Sequence, residues 1–401
     1  MIGDGWDGEW GADIGGGGEL HTPAAAGKRR VAVVTGTRAE FGLLKPVALA
    51  IAAHEGLELA LVASGSHLVS PAETLREIKK VFAIADAVPM QIAGKTGRAE
   101  DVQSLGRGVA RFGRSFERLR PDWVLVLGDR IEAFAAAAAA SVGGYAVAHV
   151  HGGDRAEGVA DEAMRHAITK LAHVHFAASA ASAERIVKMG EPASRVMNVG
   201  SPAIDALAGM AAVDDATWES LGSPTCLYLM HPIGRSDEQE EAGAAAVLAA
   251  LVESGEKVLA LMPNLDPGRE GIARAVEGAR GVEVRKHLER EVFVGVLKRL
   301  QGSGGVLVGN SSAGMIEAAA VGVRVLDIGP RQSGRERCWN VVHVDRETGE
   351  AVVAGVRAAR SVPDNGGGHP FGDGRSGARI AAALGALNPH EPALLRKRNA
   401  Y

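Results

Sequence analysis

Cysteine is nearly absent from this chain, and several patterns that would assign a function directly are missing as well. The two cysteines, Cys226 and Cys338, lie far apart and do not have the spacing of a metal site. A reduced, cytoplasmic setting is the simplest interpretation, although the two thiols could still pair. The formal net charge of −4 provides no general attraction for nucleic acid or an acidic membrane, so we expect neither as a partner.

A secretory signal is also missing. Residues 1–20 are acidic and rich in glycine and contain no apolar segment, so we expect residues 1–28 to be a disordered leader outside the fold. The stretch 131–150 is apolar and long enough to suggest a membrane span. However, it contains Glu132 and is divided by Gly143-Gly144, which favours an Ala-rich helix followed by a strand.

Apolar strand-like runs alternate with segments of helical length throughout the rest of the chain. The predicted strands are 30–35, 57–64, 122–128, 146–151, 174–178, 225–232, 257–264, 282–287, 304–310 and 324–329. The predicted helices are 42–54, 104–119, 131–142, 159–172, 237–253, 268–279, 291–300 and 314–321. Continuous apolar strands alternating with helices indicate an α/β fold with parallel sheets that are covered on both faces.

The polar stretch near 207–222 interrupts this alternation, which then restarts. We therefore predict two Rossmann-like domains, 29–210 and 211–385, with a surface tail at 386–401 and a ligand-binding cleft between the domains. Ligands of such sheets bind beyond the C-terminal ends of the strands. The residues that follow each predicted strand are accordingly the first candidates for a functional site.

The first strand ends in Thr35-Gly36-Thr37-Arg38 and runs directly into a helical pattern. This arrangement is typical of a phosphate site. Neither the dinucleotide pattern G-x-G-x-x-G nor the P-loop pattern is present there. The sequence therefore predicts that Arg38 binds a phosphate of another kind of ligand.

Two further segments of the first half carry candidate acid–base residues. In GDRIE (128–132), Asp129 is a candidate base, metal ligand or hydroxyl binder, or alternatively a helix cap, and Arg130 is a candidate phosphate ligand. In 149–175, histidines and a Gly-Gly pair precede a helix in which Asp161 and Arg165, and Glu162 and His166, are spaced i,i+4. Acids in a first helical turn also favour the helix dipole without any other role.

The second half supplies candidates of a different kind. Asn310-Ser311-Ser312 lies between a strand and the helix that contains Glu317, where serine hydroxyls either bind phosphate or cap the helix. Other polar residues at strand ends are His231, Asn264, Asp266, His287 and Arg331. The histidines are scattered, and neither H-E-x-x-H nor paired cysteines occur, so we predict no catalytic metal.

The order of these motifs resembles a known family. TGTRAEFGLL, GDRIE, HVHGGD, DEAMRHAITKLAH, NVGSPAID, PNLD, GNSSAG and IGPRQSGRER together are similar to the hydrolysing UDP-N-acetylglucosamine 2-epimerases of the bacterial sialic acid pathway and to the epimerase part of the bifunctional animal enzyme. The resemblance spans about residues 30–345. It implies a glycosyltransferase B type fold with its active site between the domains.

The resemblance also implies the reaction: removal of the C2 proton, loss of the nucleotide to give a glycal, and addition of water to release N-acetylmannosamine. No metal or redox cofactor is required in that family, and relatives suggest dimers or tetramers. The positions matching the nucleotide- and phosphate-binding motifs are Arg38, His231, Asn264, Asp266, Ser311, Ser312, Glu317 and Arg331. His287 would lie near the base, Arg130 would face the phosphates or the sugar, and Arg165 and His166 are further expected substrate-binding residues.

Asp129 and Asp161 match proposed acid–base carboxylates, but two positions depart from the pattern. His151 stands where the animal enzyme and non-hydrolysing relatives have Glu, so His151 or nearby Asp154 would take the C2 proton. Glu270 stands where the animal enzyme has a basic residue, for which the neighbouring Arg269 could substitute. Because that region would contact the nucleotide, this departure leaves guanosine as an alternative to uridine.

Two other enzyme types share these features. One is a non-hydrolysing epimerase, which returns the nucleotide to the glycal; the GDR and HGG motifs argue against it. The other is a glycosyltransferase of the same fold, which needs an acceptor. A sensor that binds the sugar nucleotide without turnover is a third alternative.

Overall fold

We describe a computed structural model of the chain over residues 27–70, 74–95, 97–155, 161–264, 266, 268–364 and 368–400. Nearly all of the predicted leader, 1–28, lies outside these residues. Two parallel sheets, each covered by helices on both faces, form two domains, which we call the N-terminal and C-terminal domains.

The N-terminal sheet has seven strands in the order β3-β2-β1-β4-β5-β6-β7. They are β1 Arg29–Thr35, β2 Leu57–Ser64, β3 Ile84–Val88, β4 Trp123–Leu127, β5 Ala146–Val150, β6 Val174–Ala177 and β7 Val196–Asn198. Alternate residues of β1 face opposite layers: Val31 and Val33 pack against α1 (Arg38–Ala53), whereas Ala32 and Val34 pack towards α3 (Arg98–Leu119) and α4 (Ile131–Val142). Every β1 residue from Val31 onward is buried, as expected for a central parallel strand.

The C-terminal sheet has six strands in the order β10-β9-β8-β11-β12-β13. They are β8 Cys226–Leu229, β9 Val258–Leu261, β10 Val282–Arg285, β11 Val306–Gly309, β12 Arg324–Ile328 and β13 Val341–Val344. In both sheets the strand order reverses beside the first strand of the domain, between β1 and β4 and between β8 and β11. A crevice opens at such a reversal because the adjoining connections leave on opposite faces of the sheet.

The remaining helices connect these strands or follow the last of them. They are α2 Leu75–Lys79, α5 Asp161–Leu171, α6 Ala180–Lys188, α7 Asp215–Ser220, α8 Asp237–Glu253, α9 Arg269–Gly278, α10 Arg290–Ser303, α11 Ser312–Met315, α12 Glu317–Val321, α13 Gly349–Ser361, α14 Ser376–Ala386 and α15 Pro392–Leu395. Local sequence fixes several starts: Ser236 and Gln239 form a reciprocal capping box at α8, and the Thr37 side chain caps α1. Helix α1 therefore begins at Arg38 rather than at the predicted residue 42.

Every predicted strand is present, but three strands escaped prediction: β3, β7 and β13. Two of them are edges of their sheets. Every residue of β13 is partly buried, and in β3 partly buried and exposed residues alternate up to a buried Val88. The third, β7, is the opposite edge of the N-terminal sheet and has only three residues. Edge strands lack the continuous apolar run that marks a central strand.

The predicted domain boundaries need two corrections. The chain enters the C-terminal domain before residue 210, because residues 203, 204 and 207 belong to the buried core of that domain, and it leaves that domain again before the C terminus. Helix α14 packs against α1, and its residues Ile380 and Leu384 belong to the same buried cluster as Leu44 of α1. Leu394, in the predicted surface tail 386–401, is buried in this cluster as well. The chain thus returns to the N-terminal domain after Phe371, because the apolar face of α14 completes a core that α1 alone leaves open.

The suspected membrane span, 131–150, forms α4 and β5, separated by Gly143-Gly144 as predicted. Among the residues that the structure describes, no helix combines the length and apolar character needed to cross a bilayer.

Candidate functional site

The C-terminal ends of the two sheets face each other, and charged side chains connect them. Arg130, after β4, donates to Asp266 of the C-terminal domain at 3.0 Å. Arg38, at the start of α1, donates to Glu289 across the same gap at 2.7 Å. Asp154, Arg185, Arg335 and Phe371 are among the residues that line a small polar depression between the domains.

One group of polar residues, which we call the carboxylate cluster, consists of Asp129, His151, Asp154 and Arg165. Arg165, on α5, is almost completely buried and forms an ion pair with Asp129, with Asp154 3.9 Å from its guanidinium. His151 Nδ1 lies 2.8 Å from Asp154 Oδ2, and His151 Nε2 lies 2.9 Å from the Ser201 hydroxyl. Asp129 is the most exposed member, with 19% of its side chain accessible.

Burial and charge set the protonation of this cluster. Burial by itself would raise the pKa of Asp154, but His151, Arg335 and the Ser182 hydroxyl outweigh it and hold that pKa below its usual value. Burial, together with the charges of Arg335 and Arg185, lowers the pKa of Arg165 to about 9. The cluster therefore contains a stable carboxylate and a cation at neutral pH.

A second buried histidine supports the loop that carries Asp129. His149, on β5, lies 2.8 Å from the carbonyl oxygen of Gly128 and 3.3 Å from the Thr169 hydroxyl. Burial lowers the pKa of His149 to about 3, so its Nε2–H donates to Gly128 as a neutral imidazole. Gly128 itself has a φ of 74°, a conformation that favours glycine.

His151 shows comparable backbone strain, since its φ of 63° is in the left-handed region although it has a side chain. A non-glycine residue held there costs on the order of 1–3 kcal/mol. The strain is retained because the ring bonds to Asp154 and Ser201 and the backbone N–H donates to Phe176.

The second group, the arginine cluster, consists of Arg130, Asp266 and Arg331. Arg331 lies 3.7 Å from Asp266 and also donates to the carbonyl oxygen of Asn310. Burial opposes ionisation of Asp266, but the two arginines outweigh it and lower its pKa. Arg130 is also paired with the buried carboxylate of Glu132, so each arginine already has an acidic partner. A diphosphate would suit these two guanidinium groups by taking the place of a carboxylate.

Arg130 is supported from below by Glu132, which is fully buried and lies 3.6 Å from Arg130 Nε. The first residues after β1 and β2 leave room for that carboxylate. A Cβ on Gly36 would lie 2.6 Å from Glu132 Cγ, and one on Gly65 would lie within 3 Å of the same side chain. The TGTR turn thus provides space for a buried acid as well as a helix start.

His231 and Asn310 join the ends of β8 and β11, where the strand order reverses. The His231 N–H donates to Asn310 Oδ1 at 2.7 Å, and Asn310 Nδ2 donates back to the His231 carbonyl oxygen at 2.8 Å. His231 Nδ1 accepts from the Asn264 N–H, which assigns the ring proton to Nε2. Burial and the charge of Arg331 lower the pKa of His231 to about 3, so the residue is a neutral hydrogen-bond donor.

Arg38 and His287 lie further out, at the rim of the cleft. Arg38 is paired with Glu77 at 3.2 Å as well as with Glu289. The ligand atoms of Glu77, His287 and Glu289 lie within 4.8 Å of one another, but the Arg38 guanidinium is already paired with both acids. This group therefore resembles an ion-pair network more than a cation site.

The other predicted residues are more dispersed. The Ser311 side chain caps α11, and Glu317 accepts from Arg290 at 2.9 Å. Ser312 begins the same short helix. His166 lies 3.2 Å from Glu162 on a partly exposed face of α5.

Two predictions concern residues about which the structure adds little. The side chain of Asp161 lies outside the described residues. Arg269, considered as a replacement for a basic residue at position 270, is paired with Glu270 itself at 2.6 Å.

Sequence reasoning did not identify Ser201, Glu132 or Glu289 as part of the site. Ser201 is within the NVGSPAID motif, but a serine before proline has the appearance of an ordinary cap. Glu132 follows GDR and was noted only as a charge within an apolar stretch. Glu289 is far from Arg38 in sequence, and no local pattern predicts that pairing.

Comparison with known proteins identifies the family. A family profile described as UDP-N-acetylglucosamine 2-epimerase matches residues 49–385. The chain belongs to this family. The hydrolysing UDP-N,N'-diacetylbacillosamine 2-epimerase of Legionella pneumophila is 34% identical over 93% of this chain and 100% of that protein. The UDP-N-acetylglucosamine 2-epimerase of Neisseria meningitidis serogroup B is 32% identical over 80% of this chain and 85% of its own length.

Solved structures of UDP-N-acetylglucosamine 2-epimerases have the same fold. The enzyme from Methanocaldococcus jannaschii has a TM-score of 0.75 at 17% identity and covers 88% of this chain and 99% of its own. The enzyme from Neisseria meningitidis has a TM-score of 0.73 at 18% identity, with the same coverage of both chains. The predicted family and the predicted pair of Rossmann-like domains of glycosyltransferase B type are therefore confirmed.

Proposed function

We propose that this epimerase family member is a hydrolysing sugar-nucleotide 2-epimerase, which converts UDP-N-acetylglucosamine and water to N-acetylmannosamine and UDP. The observation that carries the proposal is that two sheet edges with different polar groups face each other across one cleft. The carboxylate cluster provides groups that move protons, and the opposite edge provides cations and neutral donors that hold a diphosphate.

The nucleotide is placed on the C-terminal domain in this proposal. Arg331 and Arg130 bind the diphosphate, which replaces Asp266 as the partner of at least one guanidinium. His231 donates through Nε2, and Ser311 and Ser312 add hydroxyl donors at the start of α11. Preorganised donors of this kind stabilise the charge that develops on phosphate oxygens as the bond to C1 breaks.

Proton removal from C2 needs a base that can reach the sugar. Asp129 is the most accessible carboxylate of its cluster, whereas both ring nitrogens of His151 are engaged and the residue is only 5% exposed. We therefore favour Asp129 as the group that takes the C2 proton and assign His151 a supporting role. Asp154 is buried against His151 and Ser182, which favours a role in orientation.

The chemical steps then balance. Asp129 accepts the C2 proton, the C2–H electron pair forms the C1–C2 double bond, and the C1–O bond breaks with its electron pair leaving on UDP. Water subsequently adds across the glycal, with hydroxyl at C1 and a proton at C2 on the opposite face. Closure of the domains around the glycal would keep this reactive intermediate away from bulk solvent.

The hydrolysing type is supported by two relatives of this chain. The protein from Legionella pneumophila is called hydrolyzing, and so is the GDP/UDP-N,N'-diacetylbacillosamine 2-epimerase of Campylobacter jejuni, at 27% identity. These names also make UDP-N,N'-diacetylbacillosamine, and a guanosine form of the substrate, second candidates. Assembly as a homodimer or homotetramer, a cytoplasmic location and independence from metals stay predictions.

Proton NMR of the reaction in deuterated water tests the proposal. The full chain is incubated in parallel with UDP-N-acetylglucosamine, GDP-N-acetylglucosamine and UDP-N,N'-diacetylbacillosamine, each with and without EDTA. We expect free nucleoside diphosphate and a free 2-epimerised sugar that carries deuterium at C2, formed equally well with EDTA. The substrate that reacts fastest identifies the nucleobase and the sugar that the enzyme prefers.

Three results would contradict the proposal. An equilibrium mixture of two nucleotide sugars without free sugar would indicate a non-hydrolysing epimerase. Nucleotide release that requires an added acceptor, without deuterium at C2, would indicate a glycosyltransferase. Binding without turnover of any substrate would indicate a sensor.

A further inference from the structure

Ser201 occupies the point where the chain first passes from one domain to the other. It follows β7, the last strand of the N-terminal sheet, and precedes Ala203 and Ile204, which belong to the buried core of the C-terminal domain. Its backbone N–H donates to the carbonyl oxygen of Phe371 at 2.8 Å. Phe371 lies on the returning segment, so the two interdomain crossings are hydrogen-bonded to each other at Ser201.

The crossings are packed backbone to backbone at this point. Gly200 has a φ of 87°, and a Cβ there would lie 2.7 Å from the Phe371 carbonyl oxygen. Ser201 itself is completely buried. Its position is therefore fixed by both crossings, and any relative movement of the domains must act on it.

The Ser201 side chain turns from these crossings to the carboxylate cluster. Asp154 can only accept from His151 Nδ1, so in the neutral ring the proton is on Nδ1 and Nε2 carries a lone pair. The Ser201 Oγ lies 2.9 Å from that Nε2 and accepts the Ala203 N–H at 3.2 Å. The hydroxyl proton of Ser201 is consequently directed at His151 Nε2.

A continuous chain of contacts continues from His151 to the cleft. It runs from His151 to Asp154, from Asp154 to Arg165 and from Arg165 to Asp129. Ser201, His151, Asp154 and Arg165 are all at most 8% exposed. Although the arrangement of Ser201, His151 and Asp154 resembles a hydrolytic triad, a completely buried hydroxyl cannot reach a substrate.

We propose that Ser201 is a positioning residue that links the interdomain crossing to the acid–base groups of the cleft. Its hydrogen bond holds His151 in the tautomer and orientation that fix Asp154 and, through Arg165, the carboxylate of Asp129. A closure movement at the crossing thereby sets the geometry of the base. This inference rests on the proposed epimerase function.

The test compares Ser201→Ala, His151→Ala and the double variant in the full chain, by kcat, KM and C2 deuterium incorporation. We expect Ser201→Ala to lower kcat roughly 10- to 100-fold, as for a misplaced catalytic group, with KM changed less than about threefold. The double variant should be no slower than His151→Ala, because residues that act through one another are not additive.

Ser376→Ala is the matched control. The Ser376 hydroxyl is equally buried on the returning crossing, but it donates to Asp205 at 2.9 Å and lies outside the chain of contacts that leads to Asp129. Removal of the Ser376 hydroxyl should change kcat less than about twofold. Similar kcat losses in both serine variants, wild-type kcat in Ser201→Ala, or multiplicative effects in the double variant would each overturn the proposal.

Nitrogen-15 NMR of histidine-labelled wild-type protein measures the protonation of the ring nitrogens directly, so this test does not depend on whether a variant folds. We expect a His151 signal with a protonated Nδ1 and an accepting Nε2; protonation on Nε2 alone would overturn the proposal. This measurement is independent of turnover. If the wild type releases no free sugar, the proposed function fails, whereas the Ser201–His151 bond is still tested.

Discussion

The two edges of the cleft have opposite chemical characters. On the N-terminal edge, carboxylates and histidines are buried together, and the cations among them, such as Arg165, pair with acids. On the C-terminal edge, the site histidine, His231, is neutral. The carboxylate of Asp266 lies there between two arginines, Arg331 of the same domain and Arg130 of the N-terminal domain. Proton transfer requires groups whose ionisation is tuned by burial, whereas phosphate binding requires cations. The acid–base groups lie within the N-terminal domain, and the arginine cluster lies where the two domains meet.

The largest expected effect is on the N-terminal edge. Asp129→Asn keeps the shape of the side chain but removes the base, so we expect kcat to fall by about 10²- to 10⁴-fold with little change in KM. C2 deuterium incorporation should fall in parallel. Asp215→Asn, whose parent side chain is 81% exposed on the protein surface, serves as the control. Unchanged deuterium exchange in Asp129→Asn would remove Asp129 from the mechanism.

Removal of a charged group on the C-terminal edge should weaken substrate binding instead of slowing proton transfer. Arg331→Met removes a cation from the proposed diphosphate site, and charge-assisted hydrogen bonds contribute about 1.5–3 kcal/mol. We expect KM and the UDP dissociation constant, measured by calorimetry, to rise roughly 10- to 100-fold. Arg299→Met, at a surface pair with Asp215, is the matched control. A loss confined to kcat would break the division between the two edges.

Glu40 should make the stability of the N-terminal domain depend on pH, which is the next largest expected effect. Burial raises the pKa of Glu40, beneath the TGTR turn, to about 8, whereas its ordinary value is 4.5. The folded state thus binds a proton that the unfolded chain releases, so this contribution to stability is complete below pH 4.5 and is lost as the pH rises through about 8.

Glu40→Gln should therefore raise the melting temperature relative to wild type increasingly between pH 5 and pH 9. Each kcal/mol added to the free energy of unfolding raises the melting temperature of a chain of several hundred residues by about 2–4 °C. Glu253→Gln, at an exposed position at the end of α8, should leave the two melting curves parallel. Parallel curves for Glu40→Gln as well would show that Glu40 is ionised in the folded state.

The smallest effect is expected at the rim, where the edges touch. Glu289 has a largely exposed side chain paired with Arg38, and such a pair contributes no more than about 1 kcal/mol. Arg38 is predicted to bind a phosphate, and Glu289 would compete with that phosphate for the guanidinium. Glu289→Gln should therefore lower KM by less than about fivefold at low salt, and the difference should vanish at high salt. A rise in KM would instead mean that Glu289 itself contacts the substrate.

Most of the fold was predictable because central parallel strands carry a visible pattern. VAVVT and WVLVL are buried on both faces and are continuously apolar, whereas the edge strand IADAV alternates and escaped prediction. The return of α14 to the first domain was not predictable, since nothing in its apolar face specifies which of two similar cores it completes.

The sequence predicted which site residues follow strands and therefore lie at the cleft, but it did not predict which of these residues pair with one another. Asp129, Arg130, His231 and Arg331 follow strands that the sequence reveals, so their placement at one cleft follows from parallel topology. That Arg165 pairs with Asp129, or that Asp266 lies between two arginines, depends on contacts between distant segments that no local pattern encodes.

By itself, the sequence determined the elements, the parallel sheets and the family, because hydrophobic periodicity and ordered motifs are local properties of the chain. Only the tertiary structure decided which ionisable groups are buried, and next to which charges. It is this burial that keeps His231 neutral, holds Asp154 as a carboxylate and commits both nitrogens of His151 to Asp154 and Ser201, since desolvation and pairing arise only when distant residues come together.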